Sequence, residues 1–358
     1  MNVSIDYADY ASPGALRRQH PSRIGLICSI VVTALLGMIG VGSLPFTPTA
    51  QAQSAAPGNA SNWPQRPIRM IVPNGSGGLP DIVARLTAQK LSESLGQQVI
   101  VENRVGAGST LGTAAAVRAA ADGYTLLAVF DSHVTNPHLF KKLDYDTLND
   151  LAPISLLTRG PMMLLASGSF AANNLNDLVQ LAKAKPGAVN FAVVGPGSPA
   201  RLLMEALKLA AGIDVTMIAY KSAGLAMGEL ASGQVDVMFA TVPTASSFVK
   251  SSRVKVLALT SDKRSNIAPG MPTMSESIPG FGTETWVGLL APAKTSPELI
   301  ARINAESNKA LTKPDMQARL AEQGLEAAGS TPKEFDAFIR NEMTRWGKII
   351  REQKITLE

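Results

Sequence analysis

Apolar positions along this chain recur in two alternating rhythms. Short, continuous apolar runs at 68–72, 99–101, 125–130, 190–194, 215–219, 235–239 and 254–260 predict buried strands. Between them the spacing changes to that of helices. In 81–95 the apolar residues Ile82, Val83, Leu86, Leu91 and Leu95 share one face, and Gly96 is the stop. Residues 110–121 are Ala-rich, 201–211 end at Gly212, and 226–231 form a shorter helix. Three more helices are predicted at 297–310, 314–323 and 332–353, the first and third opened by proline, whose missing N–H is harmless in a first turn. Strand and helix alternating over short connections predict an α/β protein with mainly parallel sheets covered by helices. No short period repeats. The unit of strand, Gly-rich loop and helix does occur twice, near 75 and near 196, which implies two lobes of similar design.

The N-terminal segment follows a different pattern. Arg17, Arg18 and Arg23 precede an uncharged, Ile-, Val- and Leu-rich stretch at 24–42, and Ala50-Gln51-Ala52 has the small-x-small form of a signal-peptidase site. Residues 1–52 are therefore expected to be an export signal cut after Ala52, and 53–62 a polar linker. The single cysteine, Cys28, falls inside the apolar stretch. Its removal would leave no disulfide, no thiol catalysis and no cysteine-bound zinc. A hydrophobic fraction of 46% against 17% charged residues excludes a disordered chain. The net charge of +5 is scattered, without the clustered basic face that nucleic-acid binding requires.

Two loops carry the candidate chemistry. Pro73-Asn74-Gly75-Ser76-Gly77-Gly78-Leu79-Pro80-Asp81 and Gly195-Pro196-Gly197-Ser198-Pro199 each follow a buried strand and open a helix. Helix N-termini expose unpaired N–H groups and partial positive charge, and glycine lets a ligand approach bare backbone. Two such ends facing one another would hold an anion, a carboxylate among them, without a charged side chain. Neither loop is a nucleotide motif, and 106–112 (Gly-Ala-Gly-Ser-Thr-Leu-Gly) misses the dinucleotide fingerprint by one residue. Asp131, His133 and His138 sit in a Pro-containing segment read as a loop lining the same cleft. Their spacing matches no metal site, so hydrogen bonding is the expected role. No Gly-x-Ser-x-Gly elbow occurs. Lys221 ends a strand and is a candidate ligand contact, and Trp286 is read as core or hinge packing.

Several short stretches, taken in order, resemble the extracytoplasmic receptors of tripartite tricarboxylate transporters, the Bug family. They are Trp63-Pro64-x-Arg66-Pro67-Ile68, Val101-Glu102-Asn103-Arg104 with Gly106-Ala107-Gly108, and Asp122-Gly123-Tyr124-Thr125. Further on come Ala219-Tyr220-Lys221, 233–239, Thr260-Ser261-x-Lys263-Arg264, Pro272-Thr273 and 286–292. The resemblance implies a type II periplasmic-binding-protein fold: two α/β lobes, a hinge, and a cleft closing on a carboxylate. The lobes are expected at 63–162 with 287–358 and at 163–286. The ligand set expected from it is Asn74, Gly75, Ser76, Gly77, Gly78, Leu79 and Asp81 from the first loop, and Ser132, His133 and Asn136 from a third segment. Val194, Gly195, Gly197 and Ser198 come from the second loop, joined by Arg201 and Lys221. No cofactor or metal is implied. The expected partner is a multi-spanning permease or, alternatively, a sensor kinase, and the chain is expected to be a monomer. An enzyme on this scaffold, with Lys221 or His133 as base, is the less favoured alternative.

Three departures bear on the ligand. Leu79-Pro80 stands where the family commonly has Gly-Thr, Ala200-Arg201 where a small or hydroxyl residue and His are usual, and Ala240 where Asp is frequent. The lost acid argues against a ligand amine, and Arg201 favours a second anionic group, so a dicarboxylate or aromatic carboxylate is expected over an amino acid. N-terminal sequencing of the exported protein should give a chain beginning at Gln53; a start before Ala50 would overturn the export reading.

Overall fold

A computed structural model describes residues 62–194, 198–265, 268 and 270–356. The export segment, Cys28, the linker up to 61, and Gly195 and Gly197 of the second loop lie outside the described residues. The chain first forms β1 (Ile68–Val72), α1 (Leu79–Leu95), β2 (Val99–Asn103), α2 (Thr110–Val117), β3 (Thr125–Phe130), α3 (Ser132–Leu139) and β4 (Leu151–Gly160). A second series follows: β5 (Met162–Ser167), α4 (Leu175–Ala184), β6 (Asn190–Val194), α5 (Pro199–Ala211), β7 (Thr216–Tyr220), α6 (Ala223–Ser232), β8 (Val237–Thr241), α7 (Val242–Lys250) and β9 (Val254–Leu259). The last elements are α8 (Met274–Ser277), β10 (Thr285–Pro292), α9 (Pro297–Leu311), α10 (Pro314–Glu322), β11 (Glu326–Ala327) and α11 (Pro332–Glu352).

These strands make two sheets, β11-β4-β10-β3-β1-β2 and β7-β6-β8-β5-β9. Each contains a parallel trio, β3-β1-β2 and β8-β6-β7. Against each trio lies an antiparallel strand that enters from the other sheet, β10 beside β3 and β5 beside β8. The sheets are thus mixed, where the sequence pattern predicts mainly parallel ones. β5 crosses directly from β4, and β10 returns through a connection holding only the short α8, so neither is a crossover unit that forces it parallel. The segment 131–138, read as a loop, is the N-cap and nearly the whole of α3, with Pro137 in its last turn.

The two crossings are tied together. Pro161 alone separates β4 from β5. The Met162 N–H donates to Thr260 Oγ1 at 2.9 Å, and the Thr260 N–H to the Met162 carbonyl at 2.9 Å. The Thr283 N–H donates to the Thr260 carbonyl at 2.8 Å, just before β10 begins. α11 packs on α3 and β4 of the first sheet's layer and also reaches α5 of the second. Trp286 is fully buried beneath it, edge-on to Phe335 at 5.9 Å and Phe338 at 5.3 Å.

Gly288 of β10 makes room for the tip of the Phe335 ring, because a Cβ there would collide with Cζ of this fully buried ring. Gly288→Ala should therefore destabilise the protein by about 1–3 kcal/mol through overpacking, read as a lower urea midpoint.

Candidate ligand-binding site

Between the sheets lies a cavity of about 470 Å³, inside the ordinary range for small-molecule sites. It sits where ligands bind in open α/β sheets, beyond the carboxyl ends of parallel strands. From the first sheet come the β1–α1 loop (Asn74, Gly75, Ser76, Gly78, Leu79, Pro80), Phe130 at the end of β3, and Thr285 at the start of β10. From the second come Met162, Val194, Ser198, Pro199, Ala200, Ala223, the β8 end from Met238 to Thr241, and Thr244. Among the described residues the lining holds no ionisable side chain.

Helix starts supply the polarity instead. α1, α5, α6 and α7 all begin at this cavity. Ser198 caps α5 by accepting from the Arg201 N–H at 3.3 Å, and Ser222 caps α6 by accepting from the Leu225 N–H at 3.3 Å. The N-caps of α1 and α7, Gly78 and Thr241, make no side-chain cap bond. Their first-turn N–H groups are left for a ligand. Thr241 instead pairs its hydroxyl with that of Thr244 at 2.9 Å.

The first loop is held from behind. Asp81 is buried, and its carboxylate accepts from the Gly77 N–H at 2.9 Å, the Asn103 amide at 2.8 Å and the Arg85 guanidinium at 2.9 and 3.0 Å. Burial pushes the Asp81 carboxyl up, but the hydrogen bonds from Arg85, Gly77 and Asn103, with the Arg85 charge, outweigh it and leave the group below its usual value. Asn103 also donates to the Asn74 carbonyl at 3.0 Å, and Asn74 donates to Ser109 Oγ at 3.2 Å. The 106–112 segment is a prop for this loop: a Cβ on Gly112 would come within 2.7 Å of the Pro73 side chain.

Of the residues singled out in the sequence, Asn74, Gly75, Ser76, Gly78, Leu79, Val194 and Ser198 line the cavity. Gly77 and Asp81 shape the loop rather than face the space. Ser132, His133 and Asn136 do not line it, because α3 forms where a loop was expected. Asn136 donates to the Gly108 carbonyl at 2.7 Å, and His133 is buried in the helix packing. Lys221 is exposed and stands outside the lining. Arg201 is also outside it, its guanidinium donating to the Thr356 carbonyl at 3.5 Å, so it brings no cation to the site. The α6 and α7 starts, Phe130, Met162, Met238, Phe239 and Thr285 escaped sequence reasoning. Thr241-Val242-Pro243 did carry a signal, since a capping hydroxyl and an early proline after an apolar strand repeat the Ser198-Pro199 pattern.

Two mixed sheets of like strand order, crossed twice by the chain and enclosing a cavity between them, define a two-lobed solute-binding receptor. The chain belongs to the tripartite tricarboxylate transporter receptor family, whose pattern it matches over residues 83–355. It is 37% identical over 324 residues to protein BugT of Bordetella pertussis, covering 90% of this chain and 98% of that one. A Rhodopseudomonas palustris MatC structure with bound malate is 31% identical, covers 80% of this chain and 100% of its own, and has a TM-score of 0.69. An R. palustris protein solved with adipate is 29% identical, with coverage of 82% and 99% and a TM-score of 0.72. The structure of the periplasmic binding protein BugD is 32% identical, with coverage of 82% of this chain and 99% of its own and a TM-score of 0.69.

Two buried groups near the site titrate in opposite directions. Burial pushes the Asp131 carboxyl up to about 8, with the Glu342 charge adding to it, against hydrogen bonds from Thr285 and Trp286. Burial lowers the His133 imidazole to about 4. Between pH 4 and 8 the native chain keeps a proton on Asp131 that the unfolded chain, at 3.8, has released, so this contribution falls as pH rises. The His133 contribution rises with pH only up to the unfolded value of 6.5. From pH 6.5 to 8 the melting temperature should therefore drop, and Asp131→Asn should flatten that drop in scanning calorimetry.

Proposed function

We propose that this receptor closes its lobes on a small carboxylate and delivers it to a tripartite tricarboxylate-type permease. The observation that carries the reading is a cavity without ionisable side chains, among the described residues, at which four helices begin. Each N-terminus favours an anion by about 0.3–1 kcal/mol, and more where solvent is excluded. The adipate and malate held by the two R. palustris relatives support the same ligand class. The ligand contacts in this reading are Asn74, Gly75, Ser76, Gly78, Leu79, Val194 and Ser198, joined by Thr241, Thr244 and Thr285. Ala240 in the cavity wall offers no acid for an ammonium group, which favours dicarboxylates and aromatic carboxylates over amino acids. The lobes are taken as 63–162 with 287–358 and 163–286. The mature protein is a monomer starting after Ala52, and it returns its ligand unchanged.

Adipate, malate and benzoate, screened by thermal shift on the mature protein, should include at least one that stabilises it. At a concentration a hundredfold above Kd the gain is about 2.7 kcal/mol. Ala240→Trp, which fills the cavity, should abolish that shift. A primary amide stabilising as strongly as its parent acid would sink the anion reading.

A further inference from the structure

Asp131 touches none of the open cavity, yet it stands directly behind one wall. It occupies the N-cap position of α3 without a side-chain cap bond, is 8% exposed, and makes no ion pair among the described residues. Its Oδ2 accepts from the Thr285 hydroxyl at 2.9 Å and its Oδ1 from the Trp286 N–H at 3.3 Å. Thr285 is at the same time part of the cavity lining. A second void of about 10 Å³, bounded by Asp131, Glu284 and Trp346, shares Met162, Pro199 and Thr285 with the main cavity.

A threonine hydroxyl has one proton to give, and an ionised carboxylate can only accept. While Asp131 is charged, Thr285 must spend its proton backward, and it presents only lone pairs to the cavity. Those lone pairs oppose a carboxylate. Once Asp131 carries a proton, its own O–H can donate to Thr285 Oγ1. The Thr285 proton is then free to turn into the cavity and donate to the ligand. We infer that Asp131 is a positioning residue whose protonation sets the direction of the Thr285 hydroxyl, so that a carboxylate ligand and one proton bind together.

The surroundings favour this coupling. Glu342 of α11 acts on Asp131 as a like charge, and Glu284 lies across the small void, with Asp262 and Glu326 acting on Glu284 in turn. The neighbouring cations are committed to other acids: Arg345 to Glu342 at 3.6 Å and Arg159 to Glu284 at 3.7 Å. On α3 itself His133 is buried, and His138 is bonded to the Met343 carbonyl at 2.8 Å and is influenced by Arg351. A carboxylate entering the cavity adds one more negative charge beside an acid already short of counter-charge. Burial already holds Asp131 protonated near neutral pH.

The inference rests on the carboxylate reading, and calorimetry separates the two. The probe is whichever of adipate, malate and benzoate stabilises the protein most, all being fully ionised above pH 7. If none binds, the proposed function itself fails. If one binds, its Kd should rise at least tenfold between pH 7 and 9.5. Binding at pH 8.5 should also take up a proton, seen as a binding heat that varies with the ionisation enthalpy of the buffer. Asp131→Asn should hold Kd within twofold over that range. Thr285→Val should bind more weakly at pH 7 and likewise lose the pH dependence. Glu284→Gln should keep the wild-type profile. A wild-type Kd that stays flat without proton uptake, or a profile flattened by Glu284→Gln and not by Asp131→Asn, overturns the inference. The proton-uptake measurement needs no variant and stands even if Asp131→Asn does not fold.

Discussion

An anion enclosed in a cleft must be given back the hydrogen bonds it had in water, and the described walls of this cleft contain no cation to help. Backbone N–H groups at helix starts are the remaining source. That requirement explains why α1, α5, α6 and α7 all begin at one place, and why the carboxyl ends of both parallel trios point there. It also explains the local chemistry. Proline in the first turns of α1, α5 and α7 gives up only a bond that would go unmade, and bare glycine in the first loop leaves backbone open to the ligand. A buried lysine or arginine would bring its own large desolvation cost; fixed dipoles bring none at the moment of binding.

Cleft and crossing are one construction. Met162 belongs to the reciprocal bonds with Thr260 and also to the cavity wall, and Thr285 begins the strand that returns to the first sheet. Motion at the crossing is therefore felt directly at the ligand. α11, packed on α3 and β4 and reaching α5, spans the same junction from behind, anchored by the Trp286, Phe335 and Phe338 cluster.

Two buried aspartates show how context divides one residue type. Asp81 has Arg85 beside it and spends its oxygens folding the ligand loop, so it stays charged despite burial. Asp131 has only a hydroxyl and an N–H, with Glu342 acting as a like charge, so burial prevails and it keeps its proton. The first fixes the shape of the site. The second leaves the site's polarity open to pH.

Much of this protein was legible along the chain because it is local. Strand runs, helix faces and the Gly-Pro-Ser punctuation of two ligand loops are set by neighbours a few residues apart, and the family resemblance rests on the same short stretches. What lay beyond reach depends on packing. β5 and β10 are buried at every position and β4 at seven of its ten, so they carry no alternation, and their antiparallel direction follows from the two crossings. α3 forms over a stretch that proline and polar residues mark as loop, which turns Asn136 toward Gly108. Arg201 stands two residues inside a ligand-loop helix, and helical geometry carries its side chain to Thr356 instead. The sequence by itself determined where helices such as α1, α5, α9 and α11 start, and that two of those starts suit an anion. Only the tertiary structure decided that four of them meet, and that an acid is buried behind the wall they share, because long-range packing alone brings such distant residues together.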